Sequence, residues 1–180
     1  MRLFSPTILQ RITERNTAYK KLKRLEVIDS EHIKKCGVYL QLGRDYEFLE
    51  DDVLFNEIEQ KRLFLSLLNA RIVLATLKSL MTLAGIKYTQ LNEITYTPEE
   101  IILDLGDFKA EYTGKELLDW AAEQERKICE FLDSFVMPEE GIQGSSKLFA
   151  LQAMKASWFT HKGEKLCEDF IFQIDDGHKL

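Results

Sequence analysis

The sequence predicts a mainly α-helical domain with β structure as a minor part: about five helices in a bundle-like arrangement around one long central helix, and one small β-hairpin near residues 101–112. Three observations lead there. Apolar residues recur at three- and four-residue spacing through most of the chain, residues 63–86 are apolar at 16 of 24 positions, and one short segment carries the turn chemistry of paired strands. The 180 residues, 45% hydrophobic and 30% charged with nine glycines and three prolines, suit one core-forming domain over 1–180 and exclude the collagenous, low-complexity and disordered classes.

At the N-terminal end, Ser5-Pro6 is a helix start, with serine able to cap free amides and proline at the first helical position. Ile8, Ile12, Tyr19 and Leu22 follow at helical spacing and predict a first helix over 6–26, within a basic arm that covers 1–35. Asp29-Ser30-Glu31 offers a second cap before a short helical turn ended by Gly37, after which 38–42 reads as a strand or a linker. From Asp45 to Glu59 there are seven acids and no base, the polarity that suits the positive start of a long helix. That predicts a helix over 52–84 stopped by Gly85. At 1.5 Å per residue it is roughly 50 Å long, which calls for a kink near Ser66 or Asn69 or for an extension into a partner.

Gly106-Asp107 fits a two-residue hairpin turn that sets Leu105 opposite Phe108, Asp104 opposite Lys109 and Leu103 opposite Ala110. Thr113 and Glu116 have the spacing of a capping box, and Leu117, Ala121, Ile128, Leu132 and Phe135 trace the buried stripe of a helix ending near Met137-Pro138. A loop over 137–146 is the candidate boundary within the domain. Ser145 or Ser146 then caps a helix over 147–159, and Leu166, Cys167, Phe170, Ile171 and Ile174 mark a last helix of about ten residues.

Three widely spaced cysteines, Cys36, Cys129 and Cys167, argue against a disulfide framework and for a reducing, cytoplasmic setting. The first residues contain no apolar run of signal-peptide length. Arg71 and Lys78 interrupt the apolar stretch, each at a cost of roughly 2.5–3.5 kcal/mol near a bilayer centre, so the sequence predicts a core helix and no membrane association. Seven residues apart, the two cations share a helical face that should reach water or carboxylate partners.

Charge is the sharpest compositional feature. Residues 1–35 hold nine bases and four acids, while the rest of the chain holds 15 bases and 26 acids. On the first helix Lys20, Lys21, Lys23 and Arg24 occupy the outer arc, and they are the candidate partner-binding residues. Their expected partner is another protein, or the acidic 45–59 stretch of a second copy in a homodimer. Nucleic acid is the other polyanion such an arc could hold, but the chain is net −6 and no aromatic side chain is interleaved with these cations to stack bases.

A second candidate is carboxylate chemistry. Glu47 and Glu50 form an E-x-x-E pair, while Glu116 with Asp119, and Glu130 with Asp133, form E-x-x-D pairs. Residues three apart share a helix face and can jointly hold Mg²⁺ over a polyphosphate. This pattern is faintly similar to that of the all-helical nucleotide pyrophosphohydrolases, and the resemblance would make Glu47, Glu50, Glu116 and Asp119 the magnesium-holding set of a hydrolase. The gap between the two pairs is much longer than that family's one-helix spacing. Asp119, Glu123, Arg126, Glu130 and Asp133 also read as an ordinary solvated stripe.

His32 with Cys36, and His161 with Cys167, would make a zinc site only if both pairs met in space, and the closely spaced ligand pairs of structural zinc are missing. G-x-S-x-G, S-x-x-K, P-loop and G-x-G-x-x-G patterns are absent too. Trp120 and Trp158 read as core residues. The sequence thus predicts a small acidic protein-interaction or regulatory accessory protein without a cofactor. The metal-dependent hydrolase and a nucleic-acid-associated protein are the alternatives.

Overall fold

The structure, a computed structural model, describes residues 4–12, 17–29, 32–41, 56–99, 109–134, 142 and 144–175. Its organising element is a helix spanning Glu57–Ala84. In chain order the helices are α1 (Pro6–Gln10), α2 (Thr17–Arg24), α3 (Glu57–Ala84), α4 (Gly114–Ser134) and α5 (Ala150–Ala153). The strands are β1 (Lys35–Gln41), β2 (Ile94–Tyr96), β3 (Tyr112–Thr113), β4 (Phe159–His161), β5 (Glu164–Lys165) and β6 (Asp169–Asp175).

Asn56 starts α3 through a capping box: its side chain accepts the Glu59 N–H at 3.0 Å and its own N–H reaches the Glu59 carboxylate at 3.4 Å. Gly85 ends it in the left-handed conformation at φ 69°, which a side chain would oppose. Residues 66–70 are buried at five consecutive positions, and at about 100° per residue such a run goes round the whole circumference. By length and hydropathy alone α3 would cross a bilayer, yet 67% of its most apolar window is buried inside the molecule, as befits a core helix.

α3 is continuous through Ser66 and Asn69, the positions where the sequence suggests a kink, and both side chains there form hydrogen bonds. Ser66 Oγ accepts the Ser145 N–H at 2.6 Å. The Asn69 amide donates to the Lys147 carbonyl at 3.0 Å, and its oxygen accepts the Ala150 N–H at 3.0 Å. The polar positions of the core helix therefore clamp the 145–150 segment along its side.

The expectation of a mainly helical bundle is corrected. Among the described residues 56% are helical and 19% lie in strands or bridges, arranged in two sheets, so the fold is mixed α+β. One sheet pairs β1 with β6 in parallel, from Lys35 opposite Asp169 to Gln41 opposite Asp175. Parallel neighbours need a long crossover, and here almost the whole domain lies between them. The other sheet is antiparallel in the order β3-β2-β4-β5, with Tyr96 opposite both Tyr112 and Phe159.

Each departure has a local cause. The helix expected over 6–26 is divided into α1 and α2, since Arg11 leaves helical geometry with φ −101° and ψ 0°. Asp29 caps a tight turn instead of a helix, accepting the His32 N–H at 2.7 Å beside an Ile28–Ile33 bridge. Gly37, expected as a helix stop, lies inside β1.

The helix expected over 147–159 shortens to α5 because its carbonyls are claimed elsewhere. The buried Tyr96 hydroxyl donates to the Ala153 carbonyl at 2.9 Å, and the Thr97 N–H takes the Trp158 carbonyl at 2.9 Å. A 3-10 turn at Ala156–Trp158 then leads into β4. The last helix expected over 166–174 is β6, where aromatic and β-branched residues pair with β1 and override a spacing that also fits a helix.

The hairpin expected at Gly106-Asp107 falls outside the described residues. A hairpin does join β4 to β5, through Lys162 (φ 54°) and Gly163 (φ 84°), the paired positive angles of a type I′ turn. The helix start at Thr113 is as expected: Glu116 N–H reaches the Thr113 hydroxyl at 3.2 Å, and Thr113 N–H reaches the Glu116 carboxylate at 2.8 Å. Leu117, Ala121, Ile128 and Leu132 of its stripe are buried.

Aromatic side chains join the sheets into one core. Tyr96 packs on Phe159 at 4.7 Å between ring centres, Phe159 on Phe170 at 6.1 Å, and Phe170 on Phe172 at 6.0 Å. Trp158 is 3% exposed, and Trp120 lies against Phe149.

Replacing Asn69 with alanine removes two hydrogen bonds from a side chain that is 1% exposed, strands the Ala150 N–H and leaves the Lys147 carbonyl with the Ser145 hydroxyl as its remaining side-chain partner. Asn69→Ala is expected to lower stability by about 2–4 kcal/mol, read as a reduced urea midpoint at constant slope. A loss below about 0.5 kcal/mol would show that this clamp does not hold the segment.

Candidate functional site

The basic residues singled out in the sequence stand on α2. Leu22 is its fully buried residue and Tyr19 packs against the core, which turns the opposite arc outward. Lys21, Lys23 and Arg24 occupy its last turn, where cations favour the negative end of the helix dipole. The helix closes without glycine: Glu26 takes φ 55° and the Val27 N–H returns to the Leu22 carbonyl at 3.0 Å. Lys20, Lys21, Lys23 and Arg24 are all exposed, and none forms an ion pair among the described residues. The 45–55 part of the acidic stretch lies outside the described residues.

The cations of α4, in contrast, are matched within their own helix. On α4 Arg126 bridges Glu123 at 2.7 Å and Glu130 at 2.6 Å, and Lys115 pairs with Asp119. Between α3 and α4, Arg71 meets Glu125 at 2.7 Å with both side chains at least two-thirds buried, the carboxylate partner expected for that face. The bonds from Glu123 and then Glu130 hold the Arg126 guanidinium even more firmly protonated than usual.

Of the four carboxylates read as a magnesium set, Glu47 and Glu50 lie outside the described residues. Glu116 and Asp119 are engaged in local structure. Glu116 takes Lys109 at 2.6 Å as well as the Thr113 N–H, and these bonds, Lys109 first, pull its carboxyl down to about 2. Asp119 holds Lys115, whose ammonium is stabilised first by that bond and then by Tyr88. Among the described residues no group of three His, Cys, Asp or Glu side chains is gathered as a metal would need.

The two His/Cys pairs separate in an instructive way. Cys36 and Cys167 meet through a side-chain hydrogen bond where β1 pairs with the approach to β6, anchored by the Glu168 N–H on the Ile33 carbonyl at 3.2 Å. Cys36 is fully buried and Cys167 is 3% exposed. The bond to Cys36, then burial, pushes the Cys167 thiol well above its ordinary value, which leaves it unreactive. His161 is elsewhere, 3.1 Å from Glu93, and His161 and then Lys162 hold that carboxylate below its usual range. Sequence spacing gave no sign of this thiol pair, because the contact arises from parallel strands distant in sequence.

Glu116 has its folded value near 2 against an ordinary 4.5, so its stabilising contribution is complete above 4.5 and disappears as pH falls through about 2. Glu116→Ala should cost about 1 kcal/mol at pH 7, the worth of an exposed capping group, with the gap to the parent closing between pH 5 and 2 in acid-titrated melting curves. A gap independent of pH would remove the carboxylate from that account. With Ellman's reagent, the folded chain should show Cys129, the half-buried thiol, as its one reacting cysteine, and all three only after unfolding. In comparisons with known proteins, no family model, no curated protein and no solved structure matches this chain.

Proposed function

We propose that this chain is a small protein-interaction or regulatory accessory protein that recognises an acidic surface, on another protein or on a second copy of itself, through the outer face of α2. The observation that carries the reading is the exposed set Lys20, Lys21, Lys23 and Arg24, unpaired among the described residues while the cations of α4 are matched to neighbouring acids. Four cations on an eight-residue helix give orientation and fast encounter with an acidic partner more than they give raw affinity. The seven acids in the sequence of residues 45–59 would supply the complementary charge if the partner is a second copy.

Protein is favoured over nucleic acid because Tyr19, the aromatic residue of α2, is packed toward the core and leaves the face without a stacking platform. The hydrolase reading is supported less, since Glu116 and Asp119 are bound up in a helix cap and an ion pair. Three unlinked thiols, two of them side by side and buried, suit a reducing cytoplasmic setting.

The test is sedimentation velocity at low and high salt on the parent and on a Lys20→Glu, Lys23→Glu, Arg24→Glu variant. Native mass spectrometry of the co-purified species identifies whether the partner is the chain itself or another protein. The expected result is association at ~50 mM salt that weakens at least about tenfold on charge reversal or at ~500 mM, with an unchanged melting temperature. Association unaffected by the reversal at low salt would overturn this reading.

A further inference from the structure

A groove of about 540 Å³ opens between residues 4–7, the paired strands β1 and β6, and one side of α3. Phe4, Pro6, Ala75 and Ile171 form its apolar wall. Gly37 shapes it: a Cβ there would lie 3.0 Å from the Phe4 carbonyl oxygen, so a larger residue would push the main chain at residue 4 away from β1 by a few tenths of an ångström.

The polar lining comprises Ser5, Thr7, Tyr39, Lys78, Ser79, Thr82 and Gln173; the Tyr39 hydroxyl is already given to the Asp175 carboxylate at 2.6 Å and that of Thr82 to the Lys78 carbonyl at 2.8 Å. Lys78 is the one charged residue lining it, exposed and without an ion pair among the described residues. Next to it Ser79 is 7% exposed, and its hydroxyl has no hydrogen-bond partner among the described residues. The Gln173 amide on the β6 side is likewise unengaged among them. Past Ala75 and Lys78 the surface continues into a second depression of about 390 Å³, where Glu125 is already matched to Arg71. The groove thus combines an apolar wall, one free cation and two donors, within the roughly 300–1,000 Å³ typical of small-molecule sites.

We propose that this groove binds a small organic anion. Its apolar body would lie on Phe4, Ala75 and Ile171, and its carboxylate or sulfonate would meet the Lys78 ammonium with the Ser79 hydroxyl and Gln173 amide as further donors. An uncharged ligand would leave the cation and the Ser79 hydroxyl unused, and a cationic ligand would be repelled by Lys78. The chain as a whole is net −6, so an anion that binds here does so because of this local arrangement and not through the overall field.

The experiment titrates the intact chain with 8-anilino-1-naphthalenesulfonate and with uncharged N-phenyl-1-naphthylamine, two fluorescent probes with the same ring body. The parent is expected to bind one sulfonate probe per chain, and Lys78→Gln to weaken it about tenfold while leaving the neutral probe within about twofold. Ala75→Phe, which fills the wall, should suppress both probes. Lys78 is exposed, so its variant keeps the fold, and near-UV circular dichroism with a cooperative melt verifies this for both variants. Absence of binding to the parent would overturn the proposal, as would sulfonate binding that ignores Lys78→Gln. Equal loss of both probes on that substitution would overturn it as well, since it would report altered packing and not a lost charge contact.

Discussion

A helix of 28 residues with thirteen buried, including five in succession, has to be enclosed on every side, and that constraint arranges the rest of this chain. At about 1.5 Å per residue α3 runs for roughly 42 Å through the core, and each polar residue along it must find a partner once water is excluded. Thr76 turns back to the Ile72 carbonyl at 2.8 Å, whereas Ser66 and Asn69 reach outward and fix the 145–150 segment. Ser66 and Asn69 thereby specify which segment lies beside the helix.

Enclosure also accounts for the mixture of helix and sheet. One flank of α3 is covered by α4, tied to it by the Arg71–Glu125 bridge, and its far end by α1. The remaining flank receives β1, whose alternating pattern buries Cys36, Val38 and Leu40. A strand in that place needs a neighbour for its backbone, and β6 supplies it in parallel. The ring contacts from Tyr96 through Phe159 and Phe170 to Phe172 then carry the core from the antiparallel sheet into the parallel pair. Helices could have covered the same flank, but the residues available there favour strands: Phe170, Ile171 and Phe172 are an aromatic and β-branched run.

This explains which features were legible in the sequence. The capping box of Thr113 and Glu116, the Gly85 stop and the stripe of α4 depend on neighbours within a few residues, so they could be read directly. β6 and the end of α5 depend on partners far along the chain. A Phe-Ile-Phe run at ambiguous spacing becomes a strand because β1 is beside it, and α5 stops where Tyr96 takes the Ala153 carbonyl. The candidate site divides the same way. The basic arc of α2 was visible as composition, and the carboxylate partner of Arg71 was implied by a cation inside an apolar helix. The meeting of Cys36 with Cys167, and the groove beside Lys78, exist only through the parallel pairing and the passage of residue 4 over Gly37.

Surface charge divides the molecule into a matched part and an unmatched part, and the division is physical before it is functional. On α4 the spacing of three and four residues places Arg126 between Glu123 and Glu130 and Lys115 beside Asp119, so these groups satisfy one another at little entropic cost. α2 has no acid within its eight residues, and Lys78 sits on an otherwise uncharged stretch of α3. Cations at these places cannot be neutralised by their own helix and are left for whatever approaches from outside. The two surfaces differ in shape: α2 presents an open convex arc suited to an extended acidic partner, while Lys78 stands at the rim of a concave apolar groove suited to a small anion. The cations of α2 and Lys78 have no ion-pair partner among the described residues, and their position is a part of the surface that the fold itself does not explain.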